Sequence, residues 1–229
     1  MILTILDTET TGLDHEKNDV IEIGIVNFDT DENEIITSES ILVCPKTFDD
    51  FEKTVPIHGI QKSLIDKHGI YFEEAVRKVK SHLTPKTVMI AHNTEFDRGW
   101  FKSEKEIFDL PWICTKDDVK WPEHFPNTHL ISVAIAHGVP VVSAHRALED
   151  CLTIARLLKR VGEKHNLKEM LTLAMRPKAI FVADVPYAQK DLAKEAGFRW
   201  IPEKKVWQKR MFLDEVASLK FKTRKVADL

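Results

Sequence analysis

Three short runs rich in aliphatic and β-branched residues, ILTIL (2–6), VIEIGIVNF (20–28) and IITSESILV (35–43), fall within the first 43 residues. Each is bounded by polar or turn-forming residues, so each reads as a strand, and three in succession predict a sheet begun as a meander. The period then changes. FEEAVRKVKSHL (72–83) sets Phe72, Ala75, Val76, Val79 and Leu83 on one helical face. TVMIAH (87–92) reads as a buried strand followed by a helix over about 94–104, and WICT (112–115) as a short further strand. HLISVAIAHG (129–138) predicts a short helix stopped by Gly138 and Pro140. The longest helix is expected from His145 to about Lys164, with Leu148, Cys151, Leu152, Ala155, Leu158 and Val161 as its apolar stripe. Strands first and alternating β and α afterwards predict an α/β fold with a mixed sheet.

The first domain is expected to span residues 1–164, followed by a polar connector over 165–178 that ends at the Arg176–Pro177 break. Residues 179–229 read as a separate small α+β unit of βαββα order. Its expected parts are a strand over 179–183, a helix opened by Pro186 and ended by Gly197, a hairpin around PEKK (202–205), and a final helix from about Phe212. A length of 229 residues suffices for both units, and 43% hydrophobic with 30% charged residues excludes a disordered or low-complexity chain. No window approaches the roughly 18 apolar residues of a membrane span, and MILTILDTET is not a secretory leader. Three widely spaced cysteines, Cys44, Cys114 and Cys151, suggest neither a disulfide framework nor a thiolate zinc site; the expected location is the cytoplasm.

The net charge of −3 hides an asymmetry. Residues 176–229 carry 13 Lys+Arg against 7 Asp+Glu, which leaves 20 basic against 29 acidic residues in the first 175. An acidic body joined to a basic tail suits a polyanion brought to a cation-requiring centre.

The acidic residues of the body include three ordered motifs. In DTETTG, Asp7 and Glu9 stand two residues apart at the end of the first strand, so an extended backbone projects both carboxylates from one face. AHNTEFD places Asp97 in the first turns of a helix leaving a buried strand, and HRALED sets His145 five residues before Asp150. Five residues turn an α-helix by about 500°, so His145 is expected to project from the helix entry while Asp150 points inward. Four carboxylates and a histidine, each at the terminus of a buried element, are the components of a hard-cation site with a general base.

Those motifs, in this order and spacing, resemble the DEDDh (DnaQ-like) family of 3′→5′ exonucleases, with exonuclease X and the polymerase III epsilon-type proofreading exonuclease nearest. PIHGI (56–60) and WICT resemble the family's lesser motifs, and the likeness covers residues 1 to about 162. The resemblance implies a ribonuclease H-like mixed sheet flanked by helices, and phosphodiester hydrolysis assisted by two Mg²⁺ or Mn²⁺ ions. It implies that Asp7 is shared by both ions, that Glu9 and Asp150 complete the ion on the nucleophile side, and that Asp97 serves the second. His145 would take the proton from the attacking water, a task suited to imidazole. Thr10 and Gly12 are expected either to let the backbone approach the terminal nucleotide or only to turn the chain. Ile57, His58 and Ile60 either line a pocket for the 3′ base or pack in the core, and Asn93 and Phe96 either contact substrate or hold the helix entry. Nucleic acid is the expected partner, DNA ahead of RNA, with a polymerase or other replication protein in trans left open. RNA as the polymer, and a binding module acting chiefly through the basic tail, remain alternatives.

In FRWIPEKKVWQKR, a four-residue connection would set Trp200 opposite Trp207 among Arg199, Lys204, Lys205, Lys209 and Arg210. The tryptophans serve as core anchors or as a stacking surface, whereas the cations suit a nucleic-acid backbone. The stretch VPYAQKDLAKEAGFRWIPEKKVW resembles a small module fused to plasmid primases and, more distantly, the fork-binding module of annealing helicases. That likeness, over about 179–210, implies an accessory DNA-binding role. QKDLA (189–193) lacks the terminal aromatic of a sliding-clamp peptide, so a clamp is not expected as a partner.

Overall fold

A computed structural model describes residues 1–123 and 127–228. The chain divides into two compact units, Met1–Ala174 and Met175–Leu229.

The first unit is built on a five-stranded sheet of order β3-β2-β1-β4-β5. Strands β1 (Ile2–Thr10), β2 (Val20–Asp29) and β3 (Glu34–Leu42) form the antiparallel meander, and β4 (Val88–Ala91) and β5 (Trp112–Cys114) run parallel to β1. Strand β1 is central, and Leu3, Ile5 and Leu6 are all fully buried. Burial on both faces is why its sequence is a continuous apolar run with no alternation. It continues four residues beyond the apolar run, so Asp7 and Glu9 lie within the strand.

Three helices precede β4: α1 (Phe51–His58), α2 (Lys62–His68) and α3 (Phe72–Ser81). Ala75, Val76 and Val79 of α3 join Leu6, Ile23, Ile25 and Met89 in the largest core cluster. The first two helices were not anticipated, since α1 is one short stretch with Pro56 inside it and α2 has seven residues, too few for a clear period. After β4 come α4 (Thr94–Gly99) and α5 (Lys105–Phe108) where one longer helix was expected; Trp100 and Phe101 leave α4 in turns. Helices α6 (Leu130–Ala136), α7 (Ala147–Gly162) and α8 (Leu167–Ala174) complete the unit. The expected connector is thus divided, its first part being α8 of the first unit and its last residue, Lys178, opening a strand of the second.

The longest helix, α7, packs across β1 and β2, and Gly24 sets how close it comes. A Cβ on Gly24 would lie 2.2 Å from the Ala147 carbonyl carbon and 2.4 Å from the Leu148 nitrogen. The first turn of α7 therefore rests directly on the β2 backbone, and the Cys151 thiol reaches the Gly24 carbonyl oxygen at 3.3 Å.

The second unit is a four-stranded antiparallel sheet of order β7-β8-β6-β9, made of β6 (Lys178–Ala183), β7 (Arg199–Ile201), β8 (Val206–Phe212) and β9 (Thr223–Asp228). A 3₁₀ turn, Tyr187–Gln189, leads into α9 (Lys190–Glu195), whose Ala193 packs with Ala179, Phe181, Phe198 and Met211. The expected final helix is instead a 3₁₀ turn, Leu213–Ser218, followed by β9. The physical reason is the open edge of β6, whose backbone groups β9 satisfies by pairing from Ala179 to Ala183.

Gly24→Ala overpacks the contact between α7 and β2. It is expected to lower stability by roughly 1–3 kcal/mol, read from the urea midpoint, where an exposed glycine substitution would cost far less.

Candidate active site

In antiparallel register Asp7 stands opposite Gly24 and Glu9 opposite Glu22, so all four share the face of the sheet on which α7 rests. The close approach at Gly24 brings the first turn of α7 over that face, and with it Asp150. Carboxylate oxygens of Asp7, Glu9 and Asp150 come within 4.8 Å of one another. Asp97, from α4, is buried and accepts a 2.9 Å bond from the Thr8 hydroxyl on β1.

These groups repel one another outside water. Burial holds the Asp7 carboxyl well above the usual carboxylate range, helped by the charges of Asp97, Asp150, Glu9 and Glu22. Burial, with Asp150, Glu22 and Asp97, pushes Glu9 up to about 8 against the opposing pull of Arg146. Asp97 is pushed up to about 7, chiefly by burial, although its bonds from Thr8 favour ionisation. Burial also raises Asp150, against the bond it accepts from the His145 amide. Complete burial, helped by the same acidic field, holds the Cys151 thiol well above its usual value. A cluster of oxygen donors that cannot all ionise unaided fits a divalent cation, whose charge removes the repulsion.

Glu22 is the fifth carboxylate and behaves differently. It is 1% exposed; burial opposes its charge, yet the bonds it accepts hold its pKa below the usual value. Arg146 grips it through Nε at 3.0 Å and Nη2 at 2.8 Å, the Ala147 amide donates at 3.0 Å and the Ser40 hydroxyl at 2.7 Å. The clamp, through Arg146 immediately after His145, fixes the start of α7 to β2. His145 itself is exposed, has a left-handed φ of 61°, and donates its amide to Asp150 Oδ2 at 3.2 Å. The helix starts two residues later than expected, so His145 lies in the entry loop.

An open cleft of about 530 Å³ runs from this cluster, and Asp7, Asp150, His145 and Asn93 line it. Also on its wall are His92, Lys116 and His129. Asn93 and Lys116 follow β4 and β5, at the carboxyl ends of parallel strands where α/β sites form. His92 is tied inward, with Nδ1 at 2.9 Å from the Thr115 hydroxyl and Nε2 at 2.9 Å from the Thr128 carbonyl, and burial pushes its pKa down to about 4. Bonding to a carbonyl makes Nε2 the donor, and burial disfavours a second proton against that bond, so the imidazole braces the wall.

The other residues expected at the substrate are more dispersed. Thr10 donates to the Gly12 carbonyl at 2.6 Å, and a Cβ on Gly12 would strike the Asn18 amide, so both shape the β1–β2 turn. His58 is 2% exposed, with Nδ1 accepting the Ile60 amide and Nε2 beside the Thr54 hydroxyl; Ile60 packs with Ile21, Phe51 and Ile65. Ile57 is 56% exposed. None of Thr10, Gly12, Ile57, His58 and Ile60 lines the cleft described above. The Phe96 ring lies against His15 and Trp100, and its carbonyl meets His15 Nε2 at 2.8 Å, so it braces the entry of α4. Glu22, Arg146 and Lys116 were not anticipated, because only register and helix placement bring them to the site.

An α/β unit with an acidic cluster at its central strand and a histidine on the same cleft is the architecture of a nuclease. A family model described as Exonuclease (RNase_T) matches residues 4–158, and a second, described as Domain of unknown function (DUF8626), matches residues 179–226. The chain belongs to the exonuclease family. It is 29% identical over 192 residues to the PolC-type DNA polymerase III of Thermotoga petrophila, and 26% identical over 175 residues to the 3′-5′ exonuclease DinG of Staphylococcus aureus. These alignments take in 76% and 74% of this chain but only 14% and 19% of the relatives' lengths. Exonuclease X in complex with 5′ overhanging duplex DNA superposes with a TM-score of 0.55 at 24% identity, covering 75% of this chain and 99% of that one. The nuclease domain of 3′hExo, a DEDDh family member bound to rAMP, gives 0.55 at 20% identity, with 71% and 92% covered. The first unit therefore has the ribonuclease H-like exonuclease fold.

Two outcomes follow from the charges. Glu9 and Asp97 ionise later in the folded chain than in the unfolded one, so metal-free stability falls as pH rises from about 5 to 8. Glu22 acts oppositely, its contribution present above about pH 4.5 and lost as pH falls through its lowered value. Adding Mn²⁺ is expected to raise Tm more at pH 8 than at pH 5, since cation binding displaces protons. Arg146→Ala is expected to cost roughly 1–3 kcal/mol by urea unfolding, less than a fully buried pair because its side chain is partly exposed.

Proposed function

We propose that this chain is a metal-dependent 3′→5′ exonuclease that releases nucleoside 5′-monophosphates from DNA, acting on single strands or frayed 3′ ends. The observation that carries the reading is the gathering of Asp7, Glu9 and Asp150 within 4.8 Å beside His145 and its cleft. Asp7, Glu9, Asp97 and Asp150 are the residues that would hold two divalent cations, Mg²⁺ or Mn²⁺, with Asp7 shared by both. Bound there, the cations supply a water of lowered pKa and neutralise charge on the phosphate. His145 accepts the proton of the attacking water from its exposed position at the helix entry. Lys116 offers the cleft a positive charge for the phosphate backbone, and Asn93 a polar contact at the end of β4.

DNA is favoured by the matches to a DNA polymerase and to exonuclease X in complex with DNA. The second reading, an RNA-directed exonuclease with the same residues, is favoured by the 3′hExo domain bound to rAMP. A polymerase or other replication protein is the protein partner this reading allows. Free Cys44, Cys114 and Cys151 fit a reducing cytoplasm, and no helix among the described residues is long and apolar enough to cross a membrane.

The test is a time course on 5′-labelled single-stranded DNA and its RNA counterpart, with Mg²⁺ or EDTA. A Mg²⁺-dependent ladder shortening from the 3′ end of DNA is expected. A ladder on RNA alone selects the second reading, and no shortening of either contradicts both. Asp7→Ala is expected to reduce cleavage to background. His145→Ala is expected to lower kcat by roughly 10²–10⁴-fold while Mn²⁺ binding, followed by calorimetry, is largely kept.

A further inference from the structure

We propose that the second unit binds single-stranded nucleic acid through the β7–β8 hairpin, with Trp200 stacking on a base and Lys204 and Lys205 meeting the phosphates. This goes beyond the exonuclease reading and does not depend on it.

The two tryptophans stand directly opposite in register, their ring centroids 5.6 Å apart and their planes inclined by 56°. They divide the roles that the sequence left open. Trp207 is half-buried against the small core of Ala179, Phe181, Phe198 and Met211, and so anchors the unit. Trp200 lies on the short edge strand β7 and is 46% exposed, with Trp207 as its support. An indole held from behind with its outer surface in water is a stacking platform whose ordering cost is already met by folding.

The nearby cations also separate. Lys209 is spent on the α9 terminus, donating to the Ala196 carbonyl at 2.8 Å, with the end of its side chain beside Gly197. Arg199 and Arg210 alternate onto the other sheet face, paired in register with Gln208 and Ile180. Lys194 of α9 stays with the tryptophans, its ammonium 5.9 Å from the Trp207 ring. Lys204 and Lys205 form the hairpin tip, both exposed and without an ion pair among the described residues. Charge beside an edge strand discourages sheet-to-sheet pairing, which accounts for lysines at the end of β7 but not for an exposed tryptophan on it. The 13 basic against 7 acidic residues in this unit, beside an acidic first unit, fit a polyanion. The requirement for a flat π-surface beside the charge selects a nucleic acid with unpaired bases.

The test is fluorescence anisotropy with the full chain in EDTA, which prevents cleavage and leaves the acidic cleft repelling polyanions. The probes are a labelled mixed-sequence single-stranded DNA, its RNA counterpart, and inorganic polyphosphate as a competitor without bases. Trp200→Ala is expected to weaken nucleic-acid binding about fivefold or more, with Trp200→Phe retaining most of it. Lys204→Gln with Lys205→Gly is expected to flatten the slope of log K against log salt by roughly 1.4. Lys205→Gly suits the left-handed φ of 51° at that position, so this variant keeps the turn. Trp200-dependent binding of either DNA or RNA supports the proposal. Unchanged affinity in Trp200→Ala, no binding by the wild-type chain, or polyphosphate competing as well as nucleic acid overturns it.

Discussion

Repulsion among carboxylates held out of water is the constraint on which the rest of the first unit depends. Asp7, Glu9, Asp97 and Asp150 are gathered from a central strand and two helices, and burial and mutual charge oppose their ionisation. The bonds from Thr8 and the His145 amide offset only part of that opposition, so its cost is met elsewhere. The apolar strands β1 and β2, buried on both faces, supply the core, and the backbone contact at Gly24 seats α7 so that Asp150 has one position. Proteins carry such locally unfavourable groups where chemistry needs them, and here the need is for positive charge brought by a ligand.

Glu22 shows the difference that partners make. It sits opposite Glu9 on the same sheet face, yet its four hydrogen bonds keep it ionised while Glu9 is pushed up to about 8. The bidentate Arg146 clamp and the bond from the Ala147 amide turn one carboxylate into a fastener for the start of α7. Because His145 precedes Arg146, that fastener also fixes where the histidine leaves the chain. The guanidinium of Arg146 is thereby committed to Glu22, and the other four carboxylates are left for a cation from solution.

Much of this was legible in the sequence, and what was not has physical causes. The β1–β3 meander and the α7 stripe could be read because periodicity and burial coincide there. Asp7, Glu9, Asp97, His145 and Asp150 could be singled out because each falls in an ordered motif that closes or opens a buried element. Helices α1 and α2 are too short to show a period, and β9 owes its conformation to pairing with β6 rather than to its own residues. Gly24 and Glu22 look ordinary in sequence; only antiparallel register puts one beneath α7 and the other beside Glu9. His58 and Ile60 sit in a motif that left pocket and core both open, and burial at the end of α1 and in the turn after it could not be read from the motif alone. Trp200 and Trp207 carry the same residue type in one hairpin, and burial alone separates anchor from exposed surface.

The most direct measurement is anomalous diffraction from crystals grown with Mn²⁺. The account predicts manganese peaks bounded by the carboxylates of Asp7, Glu9 and Asp150, lost in an Asp7→Ala crystal. Manganese only at surface sites away from these residues, with the carboxylates of Asp7 and Glu9 turned to neighbouring side chains, would contradict it.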